Sequence, residues 1–216
     1  MSSSSVGETQ LGHEVAAERR ELADVLAALA PPDWDAPSLC EGWRAREVLA
    51  HITMTFSYSA EQFGAEMAQS GGDFNAMADR CARRDAAGIP IARHLDVLRD
   101  DSAYPWRVPS GQDSALTHTV IHGLDITVPL STGRRVPEER MLLALRILTE
   151  ATALGHFGTD LTGIELRADD LDWSFGSGEL VRGDGQDLAL VLGGRKLPPG
   201  RLRSAASGRF TDRGEA

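Results

Sequence analysis

Lysine is nearly missing from this chain. Lys196 is the only one among 216 residues, and arginine carries the rest of the positive charge. Acidic residues outnumber basic ones, 32 against 22, for a formal net charge of -10. Such a field repels a phosphate backbone and argues against nucleic acid as a partner. Cysteine is scarce as well. Cys40 and Cys81 are too few for the disulfide framework of a small secreted domain and read as reduced thiols. Long apolar runs are absent, and nothing approaches the ~18 residues of a membrane span. The opening "MSSSSVGETQ" has neither the basic nor the apolar region of a signal peptide. A cytoplasmic chain without a membrane partner is therefore expected.

What is present is enough apolar residue, 42%, for a real core. The length suits one large domain, or one with a small appendage. Helical periodicity runs from Glu14 to Leu29 and stops at Pro31-Pro32. Further helices are expected over 45–69, over 74–100 with an interruption near Gly88-Ile-Pro90, over 112–126 and over 137–157. After Gly163 the pattern alternates and carries turn signals, which predicts two or three short strands. "QDLALVLGGR" reads as a short apolar helix closed by Gly193-Gly194, and the polar tail "SAASGRFTDRGEA" as frayed. The expected organisation is a helical bundle over 1–160 followed by a small α/β domain over 161–216, an α+β fold that is mainly α.

The chemistry centres on "LTHTVIHGLD". His118 and His122 stand four residues apart, so both rings leave one face of a helix. Six histidines offer many pairs, so the spacing alone is a weak signal. His51, in "REVLAHITM", strengthens it, because it lies on the apolar side of its own helix with Val48 and Ile52. Three core-facing imidazoles are costly unless something satisfies their nitrogens. A divalent metal does so, and facing helices of a bundle commonly build such sites. Three protein ligands leave a position open, as in catalytic sites. Asp125 lies on the same face, three residues after His122, placed to accept a ring N–H or contact a bound water.

The segment "WDAPSLCEGWRAREVLAH", Trp34 to His51, closely resembles the start of the second helix in the DinB-like superfamily. It is most similar to the actinobacterial maleylpyruvate isomerase family of mycothiol-dependent enzymes. "HTVIHGLDITVPL" resembles that family's second motif, and "DLDWSFGSGELVRGDGQDLALVLGGR" its small C-terminal domain. The resemblance implies a DinB-like up-and-down bundle and a metal held by His51, His118 and His122. Zinc is the default, with nickel or iron as the other candidates. It also implies mycothiol as thiol cosubstrate and a small electrophile as substrate, in an isomerase or an S-transferase, as monomer or homodimer. Asp125 is the catalytic candidate beside the metal. Arg195 is expected to grip a carboxylate of the thiol cofactor or substrate at the mouth of an inter-domain cleft, or else to face the end of its helix. Two departures stand out. The family branch usually has glutamate where this chain has His118, and Thr or Ser where it has Arg44, which removes a helix-capping acceptor worth about 1 kcal/mol.

Alternatives of other classes are a metal-dependent hydrolase on the same fold and a non-catalytic binding or stress protein with a structural metal. His13, His94 and His156 read as surface or locally bonded residues. By the resemblance Cys40 is a turn residue near but not in the metal shell, and Trp34, Trp43 and Trp106 read as packing. Asp169, Asp170 and Asp172 read as a solvated acidic turn, with no calcium loop.

Overall fold

A computed structural model describes residues 3–100 and 111–212. Trp106 lies outside the described residues. The fold is α+β and mainly α, and its contacts divide it into two compact units, Met1–Arg134 and Arg135–Ala216.

The first unit holds six helices among the described residues: α1 (Ser3–Leu26), α2 (Ala45–Ser57), α3 (Ala60–Gln69), α4 (Phe74–Gly88), α5 (Ile91–Arg99) and α6 (Gly111–Thr127). A short 3-10 helix, Pro31–Asp35, follows α1. α1 packs on α5 and α6, and α2 packs on α4, α5 and α6. Leu22 and Leu26 of α1, Val48, Leu49 and Ile52 of α2, Leu98 of α5 and Ile126 of α6 form one fully buried cluster.

The helix expected over 45–69 is two helices. α2 ends at Tyr58, and Ser59 starts α3 with a capping box: its hydroxyl accepts the Gln62 N–H at 3.1 Å, while the Gln62 side chain accepts the Ser59 N–H at 2.8 Å. The Ser-x-x-Gln signature was there to be read. The cap at Arg44 is lost as expected, since its side chain accepts no helix N–H, but Glu47 holds the turn from the other side. The Glu47 carboxylate accepts the Arg44 N–H at 2.9 Å, and the Arg44 guanidinium binds Glu47 and Asp35. Burial disfavours ionised Glu47, but the Arg44 bonds outweigh it and hold its carboxyl below the ordinary range.

Charged groups are buried inside this unit as well. Glu18 of α1 pairs with Arg134, both nearly inaccessible. Arg19 donates to the carbonyls of Val97 and Asp100 and lies 4.0 Å from the Phe56 ring centre.

The second unit begins earlier than the change of pattern near residue 160. α7 (Glu138–Leu148) packs on α9 (Gly185–Leu192), which carries α7 and its neighbour α8 (Ala151–Phe157) into this unit. The helix expected over 137–157 breaks between Leu148 and Ala151. Three strands, β1 (Ile164–Ala168), β2 (Ser174–Gly176) and β3 (Glu179–Gly183), form a sheet in the order β2-β1-β3. β1 runs antiparallel to β2 and parallel to β3. The β2–β3 connection passes so close to Gly163 that a Cβ on Gly178 (φ +132°) would meet the Gly163 carbonyl at 2.2 Å, so glycine is required there.

Every residue of α9 is buried, including Gln186 and Asp187. Gln186 accepts the Val136 N–H at 2.7 Å, and Asp187 is bound by Arg201. Burial is the largest influence on Asp187 and keeps its carboxyl above the ordinary range. Asp169 is held by Arg182 and Arg203, so the acidic turn is bonded rather than merely solvated. The tail is also more structured than its composition suggests. A 3-10 helix spans Ala205–Arg209, Phe210 is buried, and Arg209 donates to the carbonyls of Thr162 and Asp160.

Candidate metal centre

The first unit brings the three sequence-predicted histidines together. α2 carries His51 and α6 carries His118 and His122. The α2 face is fixed by Val48 and Ile52, both fully buried, and the α6 face by Val120, Ile121 and Leu124. Two rigid helices thus set the spacing before any ligand arrives. His51 is buried, and His118 and His122 are half-buried. The ring centres lie 4.8 Å (His51–His118), 4.7 Å (His51–His122) and 4.6 Å (His118–His122) apart. One ligand atom from each of the three lies within 4.8 Å of the others.

His51 Nε2 and His118 Nε2 are 3.0 Å apart. That suits an N–H···N hydrogen bond if one ring donates. It is also close to the about 3.3 Å between two nitrogens on one tetrahedral zinc. Nitrogen donors converging from three neutral rings suit zinc, nickel or iron(II) better than calcium or magnesium, which favour oxygen. The residues present therefore fit the implied metal.

Asp125, fully buried, stands at the back of His122, with Oδ2 2.9 Å from Nδ1. An Nδ1–H donated to this carboxylate turns Nε2 outward as the ligand atom, the arrangement that commonly orients metal-binding histidines. Trp43 flanks the site with its ring 5.0 Å from that of His51, and its indole N–H donates to Asp79 at 2.8 Å.

Cys40 stands beside the site, near the metal shell as the resemblance implies. Cys40 Sγ lies 3.8 Å from His122 Nδ1, and Cys40, His122 and Asp125 form a second close group of metal-ligating atoms. The turn is tied to α6 by the Leu39 N–H, which donates to the Asp125 carbonyl at 3.0 Å. That bond joins residues far apart in sequence, so no local pattern announces it.

The other histidines are elsewhere. His13 and His156 are exposed. His94 is neither on the surface nor locally bonded: it is buried on α5 with Nδ1 2.6 Å from the Thr53 hydroxyl, and burial lowers its basicity. Arg195 lies in the second unit, just after α9, where it donates to the Gly193 carbonyl at 2.6 Å.

Among the described residues, no helix is long and apolar enough to cross a membrane. No curated protein matches the chain. The chain aligns with a crystal structure of the mycothiol-dependent maleylpyruvate isomerase at 15% identity and a TM-score of 0.47, over 92% of this chain and 93% of that one. A crystal structure of a histidine-to-alanine mutant of that enzyme aligns at 15% identity and a TM-score of 0.42, over 84% and 86%. Residues 15–104 match the family described as the mycothiol maleylpyruvate isomerase N-terminal domain. The match contains the Trp-flanked turn, Cys40 and His51, while His118, His122 and Asp125 lie beyond it.

Proposed function

We propose that this protein is a metal-dependent enzyme that adds a low-molecular-weight thiol, mycothiol, to a small electrophile. The observation that carries the reading is the convergence of His51, His118 and His122 from two packed helices, with Nε2 atoms 3.0 Å apart across them. The family match over residues 15–104 supports the choice of thiol. His51, His118 and His122 would hold a divalent ion, zinc by default. When bound, such an ion favours the thiolate over the thiol at neutral pH.

The chain's own residues do the rest. Asp125 fixes the orientation of His122 through the Nδ1 bond and is a positioning residue. Trp43 walls one side of the site with an apolar ring. A thiolate adds to one carbon of a conjugated double bond, and the electron pair moves onto the adjoining carbonyl as an enolate. Rotation about the new single bond, followed by loss of the thiolate, restores the double bond with changed geometry, which is isomerisation. Protonation of the enolate instead leaves the thioether, which is S-transfer. The candidate substrates are small unsaturated acids such as maleylpyruvate. His118, standing where the family branch usually has glutamate, makes the ligand set one charge more positive.

The test is turnover of maleylpyruvate and a panel of unsaturated acids and epoxides by metal-loaded protein, with and without mycothiol. Turnover that requires mycothiol and disappears in His51→Ala supports the reading. Hydrolysis that proceeds without any thiol would replace it with a metal-dependent hydrolase.

A further inference from the structure

We infer that Asp79 and Arg83 of α4 are positioning residues for the metal centre: they hold the Trp43 ring against His51 and so fix the orientation of that ligand, as Asp125 fixes His122. The inference rests on the metal reading above.

The His51 ring stands among three others. Those of His118 and His122 lie 4.8 and 4.7 Å away, and that of Trp43 lies 5.0 Å away, tilted by 54°. An imidazole turns about two side-chain bonds, and a ligand that must be ordered on binding loses affinity. A large, rigid ring beside it removes that freedom beforehand, provided the ring is itself held.

Trp43 is held through both its main chain and its side chain. Its N–H donates to the Cys40 carbonyl at 3.0 Å, and its carbonyl accepts the Ser38 N–H at 3.1 Å and the Ser38 hydroxyl at 2.8 Å. Its indole N–H reaches across to α4 and donates to Asp79 at 2.8 Å. Arg83, one turn further along α4, donates to both oxygens of the same carboxylate, at 2.9 and 3.0 Å, and to the Gly42 carbonyl at 3.1 Å. One guanidinium thus ties the carboxylate to the residue just before the tryptophan. Arg83 first, and then Trp43, hold the Asp79 carboxyl below its ordinary range, so the acceptor is ionised at neutral pH. Met77 and Ala78, both buried, seat this part of α4, which packs on α2.

The pair is poorly placed to stabilise the fold. The Arg83 and Asp79 side chains are 52% and 49% exposed, and a pair so open to water contributes little. What it supplies is a fixed acceptor for the indole. Loss of that acceptor should therefore be felt at His51 more than in the melting temperature.

The test is the zinc affinity of the full chain, measured by competition with a chromophoric chelator. Asp79→Leu and Trp43→Phe should each weaken zinc about tenfold or more, as when the outer support of a ligand is removed. Asp79→Asn keeps a carbonyl oxygen for the indole N–H and should stay within about threefold of the wild type. The double variant Trp43→Phe/Asp79→Leu should bind no more weakly than the weaker single variant, because the carboxylate acts through the indole. Melting temperatures in excess chelator that match the wild type establish that these variants are folded. Where Asp79→Leu melts early, Arg83→Gln takes its place and should weaken zinc by a smaller factor. Wild-type affinity in the Asp79 and Arg83 variants, or losses that multiply in the double variant, would overturn the inference and leave the metal site standing. A wild-type chain that binds no zinc would overturn both.

Discussion

The two units gather opposite kinds of side chain. In the first, three imidazoles and a thiol converge on packed helices, with one fully buried carboxylate behind them. In the second, arginines pair with carboxylates: Arg182 and Arg203 with Asp169, Arg201 with Asp187, and Arg209 with Asp160. Crowded nitrogen lone pairs call for a cation, whereas paired charges call for no further ion. The difference also concerns cost. The first unit buries its polar groups and must satisfy each of them, whereas the Asp160–Arg209 pair of the second lies at the surface, where water screens it.

That contrast can be broken in four places. The largest effect on stability is expected at the buried Glu18–Arg134 pair. Glu18→Gln removes the carboxylate that faces the buried Arg134 guanidinium and should cost about 3–5 kcal/mol in chemical denaturation. A loss under ~1 kcal/mol would show that the pair is solvated like those of the second unit. Next comes Asp125→Asn, which keeps the shape but weakens the grip on His122. It should reduce metal affinity roughly 10–100-fold by competition with a chelator, while His13→Asn, at an exposed position, should leave it unchanged. Equal affinities would make Asp125 a packing residue.

A smaller effect concerns acid. Arg84 first, then Arg80, bind Glu66 and hold its carboxyl down at about 2, against an ordinary 4.5. The stability it contributes is therefore complete above pH 4.5 and disappears as pH falls toward about 2. Glu66→Gln should flatten the loss of melting temperature within that window and change nothing in its slope above it. Smallest of all is Asp160→Asn, which breaks an exposed pair with Arg209 and should leave the melting temperature nearly unchanged.

Much of the first unit was legible because periodicity and chemistry coincide there. His51 follows Val48 by three residues and His118 precedes His122 by four, so helix geometry alone puts each on a buried face. The missed helix breaks had local signals that were outweighed by the apolar pattern, Ser59-x-x-Gln62 most clearly. What could not be read is what long-range contact creates. Cys40 reaches His122 across 82 residues, and Glu18 reaches Arg134 across 116. In the second unit, the tail looked frayed because it is polar, yet Arg209 and Phe210 anchor it through partners at Thr162, Asp160 and Leu197.

The central claim is that the three histidines are metal ligands. It is tested most directly by elemental analysis of protein purified without a histidine tag, alongside melting curves with and without added zinc. The account predicts about one divalent ion per chain, a higher melting temperature in zinc, and loss of both in His51→Ala. Protein that carries no stoichiometric metal, and whose melting zinc leaves unchanged, would contradict it and make the 3.0 Å approach of His51 and His118 a hydrogen bond between packed rings.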